Sequence, residues 1–166
     1  MGQRLAAGSA FAEQADAKTV HYPGLFPHAV DEYVLGPDRV KHSLVLLTQE
    51  ALQGFDHGDM LGATFAVTIP AGLRVEQTAN TVRLIDANGV CRYELGPVVN
   101  YDANHERLDG TFLVAQEGNE LLLTMTVDTA WLLAAERAWP VRLDPVITLQ
   151  PDPVAGNDTY VYEGSP

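Results

Sequence analysis

The chain has 166 residues, 22 acidic and 10 basic, for a formal net charge of −12 at neutral pH, and 46% of its residues are hydrophobic. That length and composition give one ordinary globular domain with a real core and exclude a disordered chain. The charge sets the protein as a whole against duplex nucleic acid and anionic membrane surfaces, and suits cations or neutral ligands such as glycans.

Residues 1–18 are small and polar and read as a flexible N-terminal segment. The opening MGQRLAAGSAFAEQADAK has no continuous apolar stretch, so it is not a complete signal peptide. No apolar run approaches the ~18–20 residues of a membrane-spanning helix, so no membrane insertion is expected. The single cysteine, Cys91, closes no internal disulfide and leaves secretion open.

The first punctuated stretch is HYPGLFPHAVDEYVL, where Pro23, Gly24 and Pro27 force turns. Residues 29–35 then read as a strand, 36–38 as a turn and 40–47 as the partner strand of a hairpin. Residues 49–62 read as loop, with three glycines. A short apolar strand covers 63–69, is stopped by Pro70-Ala71-Gly72, and resumes over 73–75.

NTVRLIDANGVCRYELGP predicts a hairpin turning at Asn88-Gly89. A two-residue type I′ turn there needs φ > 0 at both positions, which Asn and Gly allow. The register pairs Asp86 with Cys91, Leu84 with Tyr93 and Val82 with Leu95. It sorts Val82, Leu84, Cys91, Tyr93 and Leu95 onto one face and sets Arg83 opposite Glu94 on the other.

A second hairpin, GTFLVAQEGNELLLTMTVD, turns at Gly118-Asn119. Phe112, Val114, Leu121, Leu123 and Met125 share one face. The other face is also fairly apolar, which predicts a central pair of strands covered on both sides. Asp128 or Thr129 caps a short helix near residues 129–138, rich in good helix formers and ended by Pro140. Residues 141–149 form a last strand with prolines at its edges. The sum is an all-β chain of roughly eight to ten short strands, an antiparallel β-sandwich built from hairpins, over residues 19–149. Residues 150–166 read as a linker and the start of a truncated following β-module, because a new alternation begins at Asp158-Thr-Tyr-Val-Tyr.

No catalytic or cofactor-binding constellation stands out. The five histidines, His21, His28, His42, His57 and His105, have no ligand spacing and read as surface or loop residues. Asp56, His57 and Asp59 lie in a glycine loop, which reads first as a solvated turn. None of the three serines lies in G-x-S-x-G. Cys91 falls on the buried face of its hairpin and reads as a small core residue. Calcium suits an acidic β-domain best among metals, with Asp31, Asp102 and Asp144 as candidate ligands, because such a domain can supply the about six to eight oxygens it takes; no EF-hand or nonapeptide loop is present. A carbohydrate-active enzyme would need two carboxylates at roughly 5–9.5 Å, which spacing alone does not reveal. Lys41 raises the question of an internal isopeptide bond to an Asn or Asp in a dry core, against the plainer reading of a packed stem with its charge in water. Trp131 and Trp139 flank the predicted helix and read either as a sugar-stacking platform or as plugs onto the sheet.

Four phrases in order, YPGLFPHAVDEYVLGPDRVKHSLVLLTQ, VRLIDANGVCRYELGPVVNYDAN, LLLTMTVDTAWLLAAERAWPVRLDPVIT and DTYVYEGSP, carry a resemblance. Tyr22, Pro27, Asp31, Tyr33 and the stretch 41–46 match the opening hairpin of that pattern. Residues 86–89 and 97–103 match its middle, and 128–132 with 139–145 match its close. The chain thereby resembles, over about residues 20–149, a β-rich region of large secreted and wall-associated bacterial proteins, YD/RHS-repeat proteins among them. That region stands immediately before a DNRLRE-type domain, a β-sandwich similar to carbohydrate-binding modules. Trp139 replaces the usual Tyr of the closing motif and Val146 the usual Thr. The resemblance implies a non-catalytic structural or adhesion-type module at the cell surface or outside the cell, with neighbouring β-modules as partners and a glycan or cell-wall ligand as a further one. A glycan-binding module and a fragment of a carbohydrate-active enzyme are the alternatives.

Overall fold

In a computed structural model of the chain, the described residues are 13–14, 16–24, 26–37, 39–53, 60–78 and 80–149. The Asp56-His57-Asp59 loop and the alternation at 158–162 lie outside them. The described residues form an all-β fold of two antiparallel sheets.

The large sheet runs, edge to edge, β1 (Glu13–Gln14), β2 (Thr19–Pro23), β3 (Ala29–Leu35), β4 (Arg39–Leu46), β12 (Val141–Leu149), β8 (Cys91–Tyr101), β7 (Val82–Ile85) and β6 (Arg74–Gln77), with β9 (Arg107–Asp109) pairing the far half of β8. The small sheet has three strands in the order β10 (Thr111–Glu117), β11 (Glu120–Asp128), β5 (Met60–Thr68). Period-two alternation decides what each strand buries. Leu44 and Leu46 of β4, Leu143 and Val141 of β12, and Val98 of β8 meet Leu121, Leu123 and Val127 of β11 in one core. Each such side chain, fully removed from water, contributes about 1.5–3 kcal/mol.

The first hairpin forms as the alternation predicts, with Tyr33 opposite His42 and Asp31 opposite Leu44. Two residues of the expected flexible segment join the sheet, Glu13 opposite His21 and Gln14 opposite Val20. The stretch 49–62 is not loop throughout: residues Gln49–Leu52 make a 3-10 turn that buries Ala51 and Leu52, and β5 begins at Met60. Nor do residues 73–75 resume β5. Residues 74 and 75 instead open β6, which crosses to the large sheet and pairs with β7.

At Asn88-Gly89 the register is right away from the turn, but the turn type is not. Arg83 faces Glu94 and Leu84 faces Tyr93. Only Gly89 has positive φ, at 82°. Gly89 N–H donates to the Asp86 carbonyl and Asp86 N–H to the Val90 carbonyl, a type I turn followed by a left-handed glycine rather than type I′. The Asp86 carboxylate accepts from the N–H groups of Asn88 and Val90 and so favours this longer loop. Ile85 consequently faces Cys91, and a bulge on β8 restores the register by Tyr93.

The second hairpin is not a central pair. β10 is an edge strand with Leu113 61% exposed, and among the described residues no third sheet covers the small sheet. The helix is also shorter than its sequence suggests. It spans Thr129–Leu132, capped by Asp128, which accepts from Trp131 N–H. A single turn has little stability of its own. The following residues fold back so that Arg137 reaches a buried carboxylate, and that contact overrides the helix propensity of residues 133–138.

Candidate functional site

Asp31, Asp102 and Asp144 are held by three different sets of partners. Among the described residues no three His, Cys, Asp or Glu side chains come together as a metal-binding group. Asp102, directly after β8, is buried. One carboxylate oxygen accepts from the N–H groups of Asn104 and Glu106, the other from Arg137 Nη1 at 2.9 Å and Ala138 N–H at 3.1 Å. Burial alone would raise its pKa, but these donors hold it below the usual carboxylate range. The Arg137 guanidinium also donates to the Trp131 carbonyl and stacks on the indole ring at 3.6 Å. One face of Trp131 is therefore covered, and both tryptophans pack against the core as partly buried groups. That face of Trp131 is closed to a stacked sugar ring.

Asp144 lies on the outer face of the large sheet, where Lys41 Nζ is 2.8 Å away and Ser43 Oγ donates at 3.2 Å. Lys41 also donates to Tyr101. Burial would lower the lysine pKa, but the bonds to Asp144 and Tyr101 raise it. The amine is thus a cation in an ion pair rather than the neutral nucleophile that an isopeptide bond requires. Beside it, Glu32 accepts from His21 at 2.9 Å and pairs with Arg142, which reaches across β4. Those two partners outweigh burial and lower the Glu32 pKa.

Asp31 is different. It sits on the inner face of β3, and His42 Nε2 donates to its Oδ1 at 2.5 Å. The sequence reading placed His42 on the surface. It is 3% exposed, because it shares the inward face of β4 with Leu44 and Leu46. The Tyr33 ring stacks on His42 with centroids 4.6 Å apart, Phe65 of β5 meets His42 edge-on at 4.9 Å, and Tyr22 meets Tyr33 edge-on at 5.7 Å. Burial, reinforced by the hydrogen bond to Asp31, pushes the Tyr33 phenol well above its ordinary value. Against this cluster is a cavity of about 40 Å³ lined by Phe26, Asp31, His42, Ala63, Thr64 and Phe65. It has room for water or one small group. The cluster stands where β5 ends the small sheet, with β1, β2 and β3 continuing beneath and beyond it. This is the candidate site: a carboxylate and an imidazole among four aromatic rings at the mouth of the sandwich. Among the described residues, the side-chain hydrogen bond of His42 is the one to Asp31.

Elsewhere the candidates are spoken for or exposed. Asp86 is bonded to Arg92 and to its own turn. Cys91 is half-buried, with its thiol pushed up by burial. His28 pairs at 3.6 Å with Glu50, both exposed. His105 lies in the turn closed by Asp102. No family model, curated protein or solved structure matches this chain.

The sequence singled out Asp31 but not its company. The hairpin pairing of residues 29–35 with 40–47 already puts Tyr33 opposite His42 and one step from Asp31. Phe65 is added by the second sheet, which no local pattern announces.

Proposed function

We propose that this chain is a non-catalytic β-module of a bacterial secreted or cell-surface multidomain protein, a spacer, scaffold or adhesion-type unit between further β-modules. The observation that carries the reading is the state of its carboxylates. Asp31, Glu32, Asp102 and Asp144 are each bonded to a basic side chain of the fold, which supports a structural rather than a catalytic use of these four. The motif order that resembles the wall-associated family supports the same reading. No helix of the described residues is long and apolar enough to cross a membrane.

The purified chain, incubated with peptidoglycan and a panel of polysaccharides, is expected to release no reducing ends above a boiled control. Release abolished by Asp31→Asn or Asp144→Asn would overturn the proposal in favour of a glycosidase. Saturable binding to a glycan array that Tyr22→Ala abolishes would move it to glycan recognition at the aromatic mouth.

A further inference from the structure

We propose that the open edge of β5 is a docking groove for one extended segment of another polypeptide, uncharged or basic, which adds a fourth strand to the small sheet. This goes beyond the spacer reading and stands on the geometry of one edge.

Sheet edges are protected by shortness, charge or proline. At the margins of the large sheet, β1 has two residues and β6 reads RVEQ. On the small sheet, Gln77 from the large sheet donates to the Phe112 carbonyl of edge strand β10. β5 has none of these devices: nine residues, MLGATFAVT, without charge or proline, and among the described residues β11 is its one strand partner. Unpaired backbone groups along such an edge are the means by which extended peptides are bound.

What lies beneath the edge decides the occupant. β5 sits over β4, since Phe65 meets His42. The large sheet then continues through β3, β2 and β1. Strands are ~4.8 Å apart and packed sheets ~10 Å, so a strand added beside β5 lies above β3. The inward residues there are Asp31, Tyr33 and Leu35 of β3, with Val20 and Tyr22 of β2 beside them, and Phe26, which lines the small cavity with Asp31, Ala63, Thr64 and Phe65, bounds the groove at the start of β3. Leu35 is 49% exposed. A second copy cannot pair its own β5 with this edge. Pairing β5 with its symmetry mate would bring the mate's β4 into the space of β3. The overhang admits a single strand with nothing bulky behind it. Its inward side chains would meet Tyr33, Tyr22 and Leu35, and the carboxylate on that floor is Asp31, in a chain of net charge −12. That charge disfavours an acidic segment and draws a basic one.

The test titrates the ¹⁵N-labelled full chain with two acetylated peptides of about ten residues, one alternating valine and lysine, the other valine and glutamate, at about 50 mM salt, where charge is little screened. The lysine peptide is expected to shift the amides of β5, Tyr22 and Tyr33, to slow hydrogen exchange at alternate β5 amides, and to bind at least tenfold more tightly than the glutamate peptide. Leu35→Lys is expected to weaken it at least tenfold, and Leu113→Lys, on the opposite face of the small sheet, to leave it unchanged. Four results would overturn the proposal: no binding of either peptide at millimolar concentration; shifts confined to other residues; full protection of β5 in the free chain, meaning that the chain fills its own groove; or protection of β5 that rises with protein concentration, meaning self-association.

Discussion

Asp102 and Asp31 are both well-buried carboxylates with a basic partner, Arg137 in one case and His42 in the other. They stand on opposite flanks of the sandwich. Asp102 accepts four hydrogen bonds, three from backbone N–H groups, and its side chain has no exposure. Asp31 is bonded to His42 and Tyr33, keeps 15% of its side chain exposed, and borders a cavity. A saturated carboxylate ties loops together and has nothing left to offer a ligand. An unsaturated one among aromatic rings retains lone pairs that another molecule can meet. The difference between the flanks is in satisfaction rather than in residue type.

The largest effect that tests this contrast is on the saturated side. Arg137→Met leaves the Asp102 charge buried without its cation, so a loss of about 3–5 kcal/mol is expected in urea unfolding. Arg137→Lys should recover only part of it, since an ammonium cannot bond the Trp131 carbonyl and Asp102 together while stacking on the indole. Acid should attack the same bonds. Asp102 and Glu32 have folded pKa values lowered from 3.8 and 4.5. Their stabilisation is therefore complete above those values and lost as pH falls through the lower folded ones. Urea midpoints should stay level from pH 7 to about 5 and drop below about 4. A decline that begins near pH 6 would show that these two carboxylates do not set the acid limit.

A steric pair extends the comparison. A Cβ at Gly110, on the saturated flank, would lie 2.7 Å from Asn100 Nδ2 and 2.9 Å from Val98 Cγ1, as well as against the Thr126 carbonyl. Backbone and buried side chains there cannot yield, so Gly110→Ala should cost about 1–3 kcal/mol. At Gly62 on β5 the nearest atom is the Thr124 methyl at 2.7 Å, on the open outer face. That group can turn away at the cost of the exposed Thr124–Thr64 hydroxyl bond, so Gly62→Ala should shift the urea midpoint by less than half as much.

The all-β class, both long hairpins and the first hairpin's register were legible because period-two alternation and turn residues act over a few residues. Local signals failed where a distant partner decided. Residues 133–138 have helix formers, yet Asp102, some 35 positions earlier in sequence, takes Arg137 out of the helix. The apolar outer face of β10 looked covered, but a residue pattern does not say how many layers a sheet has. His42 passed for a surface histidine because its type outweighed its place between inward positions. The mouth of the sandwich was half legible: Asp31, Tyr33 and His42 follow from one hairpin, whereas Phe65 needs the second sheet.

On the unsaturated flank, Asp31→Asn keeps the shape and an acceptor for His42 and removes the charge. The cost should be about 1 kcal/mol, the difference between a charge-assisted and a neutral hydrogen bond. A loss as large as that of Arg137→Met would mean that Asp31 is as much a structural tie as Asp102, and the distinction between the flanks would fail.

The smallest effect isolates burial from pairing. Arg83 and Glu94 face each other across β7 and β8, with Arg83 Nε 2.7 Å from the Glu94 carboxylate, a tighter contact than the 2.9 Å between Arg137 and Asp102. Their side chains are 45% and 26% exposed, against 4% and 0% for the buried pair. Water and salt screen the exposed pair, and holding two long side chains in one geometry offsets much of what attraction remains. Arg83→Gln should therefore leave the urea midpoint within experimental scatter, at both low and high salt. If it instead destabilised the chain as Arg137→Met does, pairing itself would set the weight of an ion pair in this fold. Satisfaction of a buried carboxylate would then no longer separate one flank of the sandwich from the other.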